Sequence, residues 1–186
     1  MRTKVEIATE QKILLLGNSA EPNAIDPHLV SAMYDSNILR AMFEGLVTNH
    51  PENDAIHEPG VAKSWEPNED YSVWTFSLRK DAKWSNGDPV TAHDFVYAYN
   101  RILHPEMAAP YASMLYFLKN AEKYNRSEIE SFDEVGVTAT NDHELVCTLE
   151  RPTPFFPDVV KHQPWLPVHQ PTIEKYGSMP DTFTDR

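Results

Sequence analysis

Cysteine is nearly absent from this chain of 186 residues, and Cys147 is the only one. A single cysteine excludes an internal disulfide and a cysteine-based zinc site, and it says little about the redox compartment. Basic residues are also scarce, since 16 Lys and Arg stand against 28 Asp and Glu, for a net charge of −12. Binding to a phosphate backbone depends on clustered Lys and Arg, so no nucleic-acid partner is expected.

Long hydrophobic runs are missing as well. Nothing approaches 18 consecutive apolar residues, so the sequence predicts no membrane span. Near the N-terminus the longest apolar run is residues 13–16, whereas a secretory signal needs about 7–15 such residues. Either the protein is cytoplasmic, or its signal sequence is absent from this chain.

Motifs for catalysis, metals and cofactors are lacking too. The chain has no His-Glu-x-x-His run, no Gly-rich phosphate loop and no Gly-x-Ser-x-Gly elbow. Among the eight histidines, the pair His50 and His57 and the pair His162 and His169 are each seven apart in Pro-containing polar segments, which favours solvated loop histidines. His93 and its neighbour Asp94 do not face each other on a helix. The sequence therefore predicts no enzyme, no metal and no cofactor.

Aromatic residues, at 11%, argue against a disordered chain, and hydrophobic periodicity predicts both strands and helices. Alternation predicts a strand over residues 71–79, with Trp74, Phe76 and Leu78 on one face, and a hairpin over residues 135–149. A first strand is expected over residues 12–17. Helices are expected over residues 38–46, with Asp35 or Ser36 as N-cap, and over 91–104, 114–124, 155–162 and 172–176. The expected fold class is mixed α+β.

The tryptophans Trp65, Trp74 and Trp84 surround one hairpin-like region. Two interpretations are open: they anchor the core, because each buries much apolar area, or they line an aromatic ligand pocket. The pattern alone favours the core.

Several separated motifs, in a fixed order, carry a resemblance to a known family. They are residues 26–28 (DPH), 43–46 (FEGL), 61–65 (VAKSW), 73–79 (VWTFSLR), 82–97 (AKWSNGDPVTAHDFVY), 110–113 (PYAS), 141–143 (NDH) and 154–156 (PFF). Together they resemble the extracellular solute-binding proteins of the peptide/nickel class, which serve ABC importers. The PYAS motif is similar to the oligopeptide-binding branch in particular.

The resemblance implies part of a type II-like periplasmic binding protein. Members of the family are much longer, so the chain is interpreted as an N-terminal fragment without the opposite lobe and the hinge. By resemblance, residues 1–46 belong to the first lobe, residues 47–168 form the small extra domain, and residues 169–186 begin the return into the first lobe. The implied location is the periplasm or cell envelope, outside the cytoplasmic membrane.

The resemblance also implies a ligand site. In oligopeptide-binding relatives the segment after DPH runs beside the ligand, and here that segment is Ser31, Ala32 and Met33. Its implied role is strand-like main-chain hydrogen bonding to an extended peptide. Tyr111 matches the tyrosine of the PYAS motif, which faces the cleft. The alternatives are an ordinary loop for residues 31–33 and a packed domain tyrosine for Tyr111.

The implied function is the substrate-binding component of an ABC import system, with short peptides as cargo and a membrane permease as partner. Two other hypotheses stay open. The same fold could carry a nickel chelate, a sugar or an opine, or the chain could be a free-standing protein-interaction module.

Overall fold

The computed structural model describes residues 3–176 except residues 14, 16, 23 and 54. The helices are α1 (Lys4–Glu10), α2 (Met33–Met42), α3 (Ala92–Leu103), α4 (Ala121–Asn125), α5 (Phe156–Val159) and α6 (Gln170–Tyr176). The strands are β1 (Val47–Asn49), β2 (His57–Pro59), β3 (Ala62–Pro67), β4 (Val73–Leu78), β5 (Val137–Asn141) and β6 (Glu144–Thr148). The expected α+β class is confirmed.

The main sheet is antiparallel, with strand order β3-β4-β6-β5. The period of two in β4 directs Trp74, Phe76 and Leu78 into the core, as predicted. The predicted hairpin is β5–β6, and the Asn141 side chain closes its turn by accepting the His143 amide N–H at 2.9 Å. β1 and β2 form a separate two-stranded ladder. The sequence predicts no strands there, because strands of three residues are too short to show periodicity.

Helix α3 begins and ends where its sequence predicts. The Asp94 carboxylate accepts the Thr91 amide N–H at 2.7 Å and the Thr91 hydroxyl at 3.0 Å. The helix stops at His104, before Pro105, because the residue preceding proline avoids helical geometry. Its apolar stripe, with Phe95, Tyr99 and Ile102 fully buried, packs against β5 and β6.

The predicted helix over residues 38–46 lies earlier in the structure. Helix α2 starts at Met33 with Ala32 as N-cap, so neither Asp35 nor Ser36 caps it, and Phe43 is already extended. The reason is tertiary: the carbonyls of Gly45 and Leu46 accept main-chain hydrogen bonds from residues 60–62, which holds that segment out of helical form. Gly60 allows this approach, because a Cβ there would lie 2.4 Å from the Gly45 oxygen.

Two further predictions need correction. Of residues 12–17, only 12, 13, 15 and 17 lie within the described part, and they form no strand there. A strand needs a pairing neighbour. The predicted helix over 114–124 is divided into a 3-10 turn, Ala112–Leu115, and α4. Asn120 between them is left-handed (φ 59°), and Leu118 bridges to Leu149. The expected helices over 155–162 and 172–176 are confirmed as the shorter α5 and as α6.

All three tryptophans take part in the core, which the sequence pattern favours. Trp74 is buried in the core, and Trp65 and Trp84 are partly buried against it. Trp84 also lines a cavity of about 640 Å³, beside Phe43 and Ile173. Cys147 is fully buried in the sheet, and this burial raises the pKa of its thiol. Within the described ranges, no helix combines the length and apolar character that a bilayer crossing requires.

Candidate ligand-binding site

A tight turn precedes the predicted ligand segment, and we call residues 26–30 the anchor turn. The Asp26 carboxylate accepts the His28 amide N–H at 2.9 Å, and the Asp26 carbonyl accepts the amides of Leu29 and Val30. An aspartate followed by proline favours this local geometry, since the side chain mimics a backbone turn. The turn therefore folds back on itself before the chain emerges at Ser31.

Helix α3 holds the anchor turn through a buried ion pair. The Arg101 guanidinium donates to both carboxylate oxygens of Asp26, at 3.0 and 2.5 Å. The side chains of Arg101 and Asp26 are 8% and 6% exposed. A bidentate pair of this kind fixes orientation as well as distance.

His28 is the third member of the cluster, and its neighbours determine its tautomer. Arg101 Nη1 lies 2.8 Å from His28 Nδ1, and guanidinium nitrogens only donate. Nδ1 therefore accepts, and the proton sits on Nε2, which donates to the Leu166 carbonyl at 3.4 Å. Burial and the Arg101 charge lower the pKa of His28 to about 4, although Asp26 opposes that shift.

Gln163 holds the turn from the opposite side. Its amide nitrogen donates to the carbonyls of Pro27 and Val30, at 3.0 and 3.4 Å. Its amide oxygen accepts the Ser36 hydroxyl at 2.6 Å, which connects the same side chain to the first turn of α2. The anchor turn is thus tied to residues distant in sequence on both sides.

The predicted ligand residues lie together at the surface. Ser31 is exposed, Ala32 is extended (φ −99°, ψ 148°), and Met33 begins α2 with 80% of its surface exposed. Tyr111 is 41% exposed, and its hydroxyl donates to the Ser31 carbonyl at 3.5 Å. The structure therefore brings residues 31–33 and Tyr111 to one place, with Met33 helical rather than strand-like. Their contact with a ligand stays a prediction.

The main chain of this segment offers hydrogen-bond donors. In the part of the chain that the structure describes, the amide N–H groups of Ser31, Ala32 and Met33 form no hydrogen bond. The Ala32 carbonyl is already used by the Ser36 amide, at 3.1 Å. Free amides beside an exposed tyrosine can pair with the carbonyls of an extended chain.

Three of the histidines singled out in the sequence lie near one carboxylate each. His57 lies 2.8 Å from Asp158, His50 lies 4.0 Å from Glu58, and His169 lies 3.1 Å from Asp88. Across the described positions, no three His, Cys, Asp or Glu side chains form a group that could hold a metal ion.

Sequence reasoning missed the buried cluster of Asp26, His28 and Arg101. The sequence marks residues 26–28 only as part of a family motif, and no motif or pattern marks Arg101. The available signal was a lone arginine on α3, whose neighbours Ile102 and Leu103 are both apolar. Arg101 and Asp26 are 75 residues apart, so their pairing follows only from the tertiary fold.

The comparison with protein families assigns the chain a class. The model described as bacterial extracellular solute-binding proteins, family 5 middle, matches residues 57–185. The chain belongs to this family, which is one of solute-binding transport proteins and not a class of enzymes.

Individual relatives carry peptide-binding names. The chain is 42% identical over 170 residues to the periplasmic oligopeptide-binding protein OppA of Haemophilus influenzae, covering 90% of this chain and 31% of that protein. It is 36% identical over 176 residues to the dipeptide-binding protein DppE of Bacillus subtilis, covering 93% of the chain and 32% of the relative. The chain thus spans about a third of the length of these curated relatives.

Solved structures agree with the fold. The crystal structure of H. influenzae OppA in complex with the peptide RPPGFSPFR matches with a TM-score of 0.81 and 44% identity, over 86% of this chain and 31% of that one. The Escherichia coli murein tripeptide-binding protein MppA matches with a TM-score of 0.79 and 34% identity, over 83% and 30%. The fold is that of the type II periplasmic binding proteins of the OppA class.

Proposed function

We propose that the full-length product of the gene encoding this chain is the substrate-binding component of an ABC importer, and that it binds oligopeptides. The observation that supports this most directly is the surface segment Ser31–Ala32–Met33, whose amides bond to none of the described residues, beside the exposed ring of Tyr111. The relatives named for oligopeptide and dipeptide binding support the same cargo class.

In this proposal the main chain supplies affinity and the side chains tolerate variation. The amides of residues 31–33 donate to carbonyls of an extended peptide, which does not depend on the peptide's sequence. Met33 is flexible and polarizable, and Tyr111 combines an apolar ring with a hydroxyl. Waters fill the remaining polar gaps. Such a surface suits a carrier of many peptides.

The proposal includes the division inferred from the sequence. Residues 1–46 and 169–186 belong to the first lobe, and residues 47–168 form the small extra domain. Carriers of this kind trap ligand by closing two lobes around it. The 186 residues correspond to about a third of each relative, so we expect them to bind peptides weakly by themselves.

Location and partner follow from the same proposal. The protein acts outside the cytoplasmic membrane and delivers its cargo to a membrane permease. Relatives named as periplasmic support the location.

Isothermal titration calorimetry of the full-length gene product against a mixture of short peptides tests the function. We expect binding heat, and a Tyr111→Ala variant should weaken it about tenfold through loss of ring contact. Tyr71→Ala is the matched control, because Tyr71 is equally exposed (42% against 41%) but lies on the β3–β4 turn. No binding heat at high peptide concentration would exclude the peptide function. Native mass spectrometry that found one sharp non-peptide mass would point to another cargo.

A further inference from the structure

The position of the proposed ligand-binding segment, residues 31–33, depends on the anchor turn. Val30, its last residue, is buried, whereas the next residue, Ser31, is exposed. Only the peptide bond between them separates the buried turn from the proposed site. A change in the turn is therefore transmitted directly to residues 31–33.

The turn and Tyr111 belong to different parts of the chain. Tyr111 follows α3, and Arg101 lies in the last turn of that helix. Arg101 reaches from α3 to Asp26 and His28 in the turn. Arg101 is therefore one of the contacts that set the distance between Tyr111 and residues 31–33, together with Gln163. Among the described residues, the direct bond across that gap is the long one of 3.5 Å.

Three of the groups that accept hydrogen bonds from Arg101 together require a guanidinium. Its two terminal nitrogens serve Asp26 Oδ1, Asp26 Oδ2 and His28 Nδ1 at the same time. A lysine ammonium carries the same charge, but it is a compact point charge without the planar fork. Arg101→Lys therefore keeps the positive charge but removes the planar group that reaches all three acceptors.

We propose that Arg101 is a positioning residue for the peptide site: it holds the anchor turn, through Asp26 and neutral His28, so that residues 31–33 stand beside Tyr111. This inference rests on the proposed peptide-binding function and concerns the same site. Arg101 itself is buried and does not touch the ligand.

His28 accepts the hydrogen bond from Arg101 only in its neutral form. The groups that face its ring are Arg101 and Asp26, with the Leu166 carbonyl at Nε2. Protonation at Nδ1 would set a second donor against Arg101 and remove that hydrogen bond. His28→Asn keeps an acceptor near the position of Nδ1, so it should preserve positioning.

The test compares Arg101→Lys with Arg126→Lys in the full-length gene product. Arg126 is the matched control, because it pairs with Glu122 at the surface, where both side chains are more than half exposed. Two quantities are measured: the peptide Kd by calorimetry, and the hydrogen exchange of the Leu29 and Val30 amides, which are bonded to the Asp26 carbonyl. We expect Arg101→Lys to raise the Kd roughly tenfold and to speed exchange at both amides, and Arg126→Lys to change neither.

Other combinations of Kd and exchange would overturn the positioning role of Arg101. Faster exchange with an unchanged Kd would overturn the inference, as would a raised Kd with unchanged exchange, because Arg101 would then act by another route. His28→Asn should retain the wild-type Kd. If Arg101→Lys does not fold, Asp26→Asn, which preserves the shape of the side chain, is measured in its place. If the wild-type protein binds no peptide, the proposed function fails, and unchanged exchange in Arg101→Lys would separately refute the positioning role.

Discussion

The sheet core and the anchor turn are both buried, but they are held by different groups. In the core, aromatic rings meet edge to face: the ring centroids of Phe156 and Trp165 are 5.3 Å apart, and those of Tyr99 and Trp165 are 5.1 Å apart. The anchor turn is held by a buried charged cluster, in which Asp26 and His28 of the turn meet Arg101 of α3. Apolar packing is non-directional, whereas the charged cluster works only in one geometry and one protonation state.

This difference suits the two regions to different tasks. The core gives stability that depends little on exact hydrogen-bond geometry or pH. The anchor turn fixes the place of residues 31–33, and a bidentate pair defines position better than apolar contact does. The two regions meet at residues 165 and 166, since Tyr99 donates to the Trp165 carbonyl and His28 to that of Leu166.

The largest effect should come from the core. Phe156→Ala removes a fully buried ring that contacts Trp74, Phe76 and Trp165, and we expect a loss of about 4 kcal/mol in the free energy of unfolding. Phe155→Ala is the control, because the adjacent Phe155 is 54% exposed and should cost under about 1 kcal/mol. Urea denaturation measures both. Equal losses of unfolding free energy in the two variants would show that burial of the Phe156 ring is not the main source of stability there.

The next effect should come from the charged cluster. Arg101→Met leaves the Asp26 carboxylate buried without its partner, and we expect a loss of about 3 kcal/mol in unfolding free energy. In the double variant Asp26→Asn with Arg101→Met, part of that loss should be recovered, because no charge remains buried. Arg126→Met, at an exposed pair, should cost less than about 1 kcal/mol. A single-variant loss as small as that of the control would contradict the role of the cluster.

The pH dependence should separate the two regions. The folded pKa of His28, about 4, lies below its ordinary value of 6.5, so the group stabilises the fold above pH 6.5 and that contribution is lost as the pH falls toward 4. We expect about 2 kcal/mol of the unfolding free energy to disappear between pH 7 and pH 5 through this residue. In His28→Asn that part of the slope should vanish, while Phe156→Ala should keep it. Denaturation curves at several pH values measure the slope, and identical slopes in wild type and His28→Asn would refute the account.

The comparison also explains what the sequence could predict. Strand β4 and helix α3 were predicted correctly, because their signals are local: alternating burial in β4 and the capping pair Thr91 and Asp94 in α3. The family motifs added residues 31–33 and Tyr111, which the structure places side by side.

The anchor turn could not be predicted, because its partners are far apart along the chain. Gln163 lies 136 residues from Pro27, and Arg101 lies 75 from Asp26. No periodicity marks such pairs. The early end of α2 has the same cause, since the non-helical form of residues 43–46 depends on hydrogen bonds from residues 60–62.

The smallest effect should come from the direct contact between Tyr111 and Ser31, which lies outside both regions. Tyr111→Phe removes only a hydroxyl whose bond to the Ser31 carbonyl is 3.5 Å long, at the limit for a hydrogen bond. We expect a change of less than about 0.5 kcal/mol in unfolding free energy, because Tyr111 is partly exposed and water can replace the bond. Peptide affinity should also stay within about threefold of wild type, since the ring remains. A loss in unfolding free energy as large as that of Arg101→Met would mean that this contact, and not the anchor turn, holds residues 31–33 beside Tyr111.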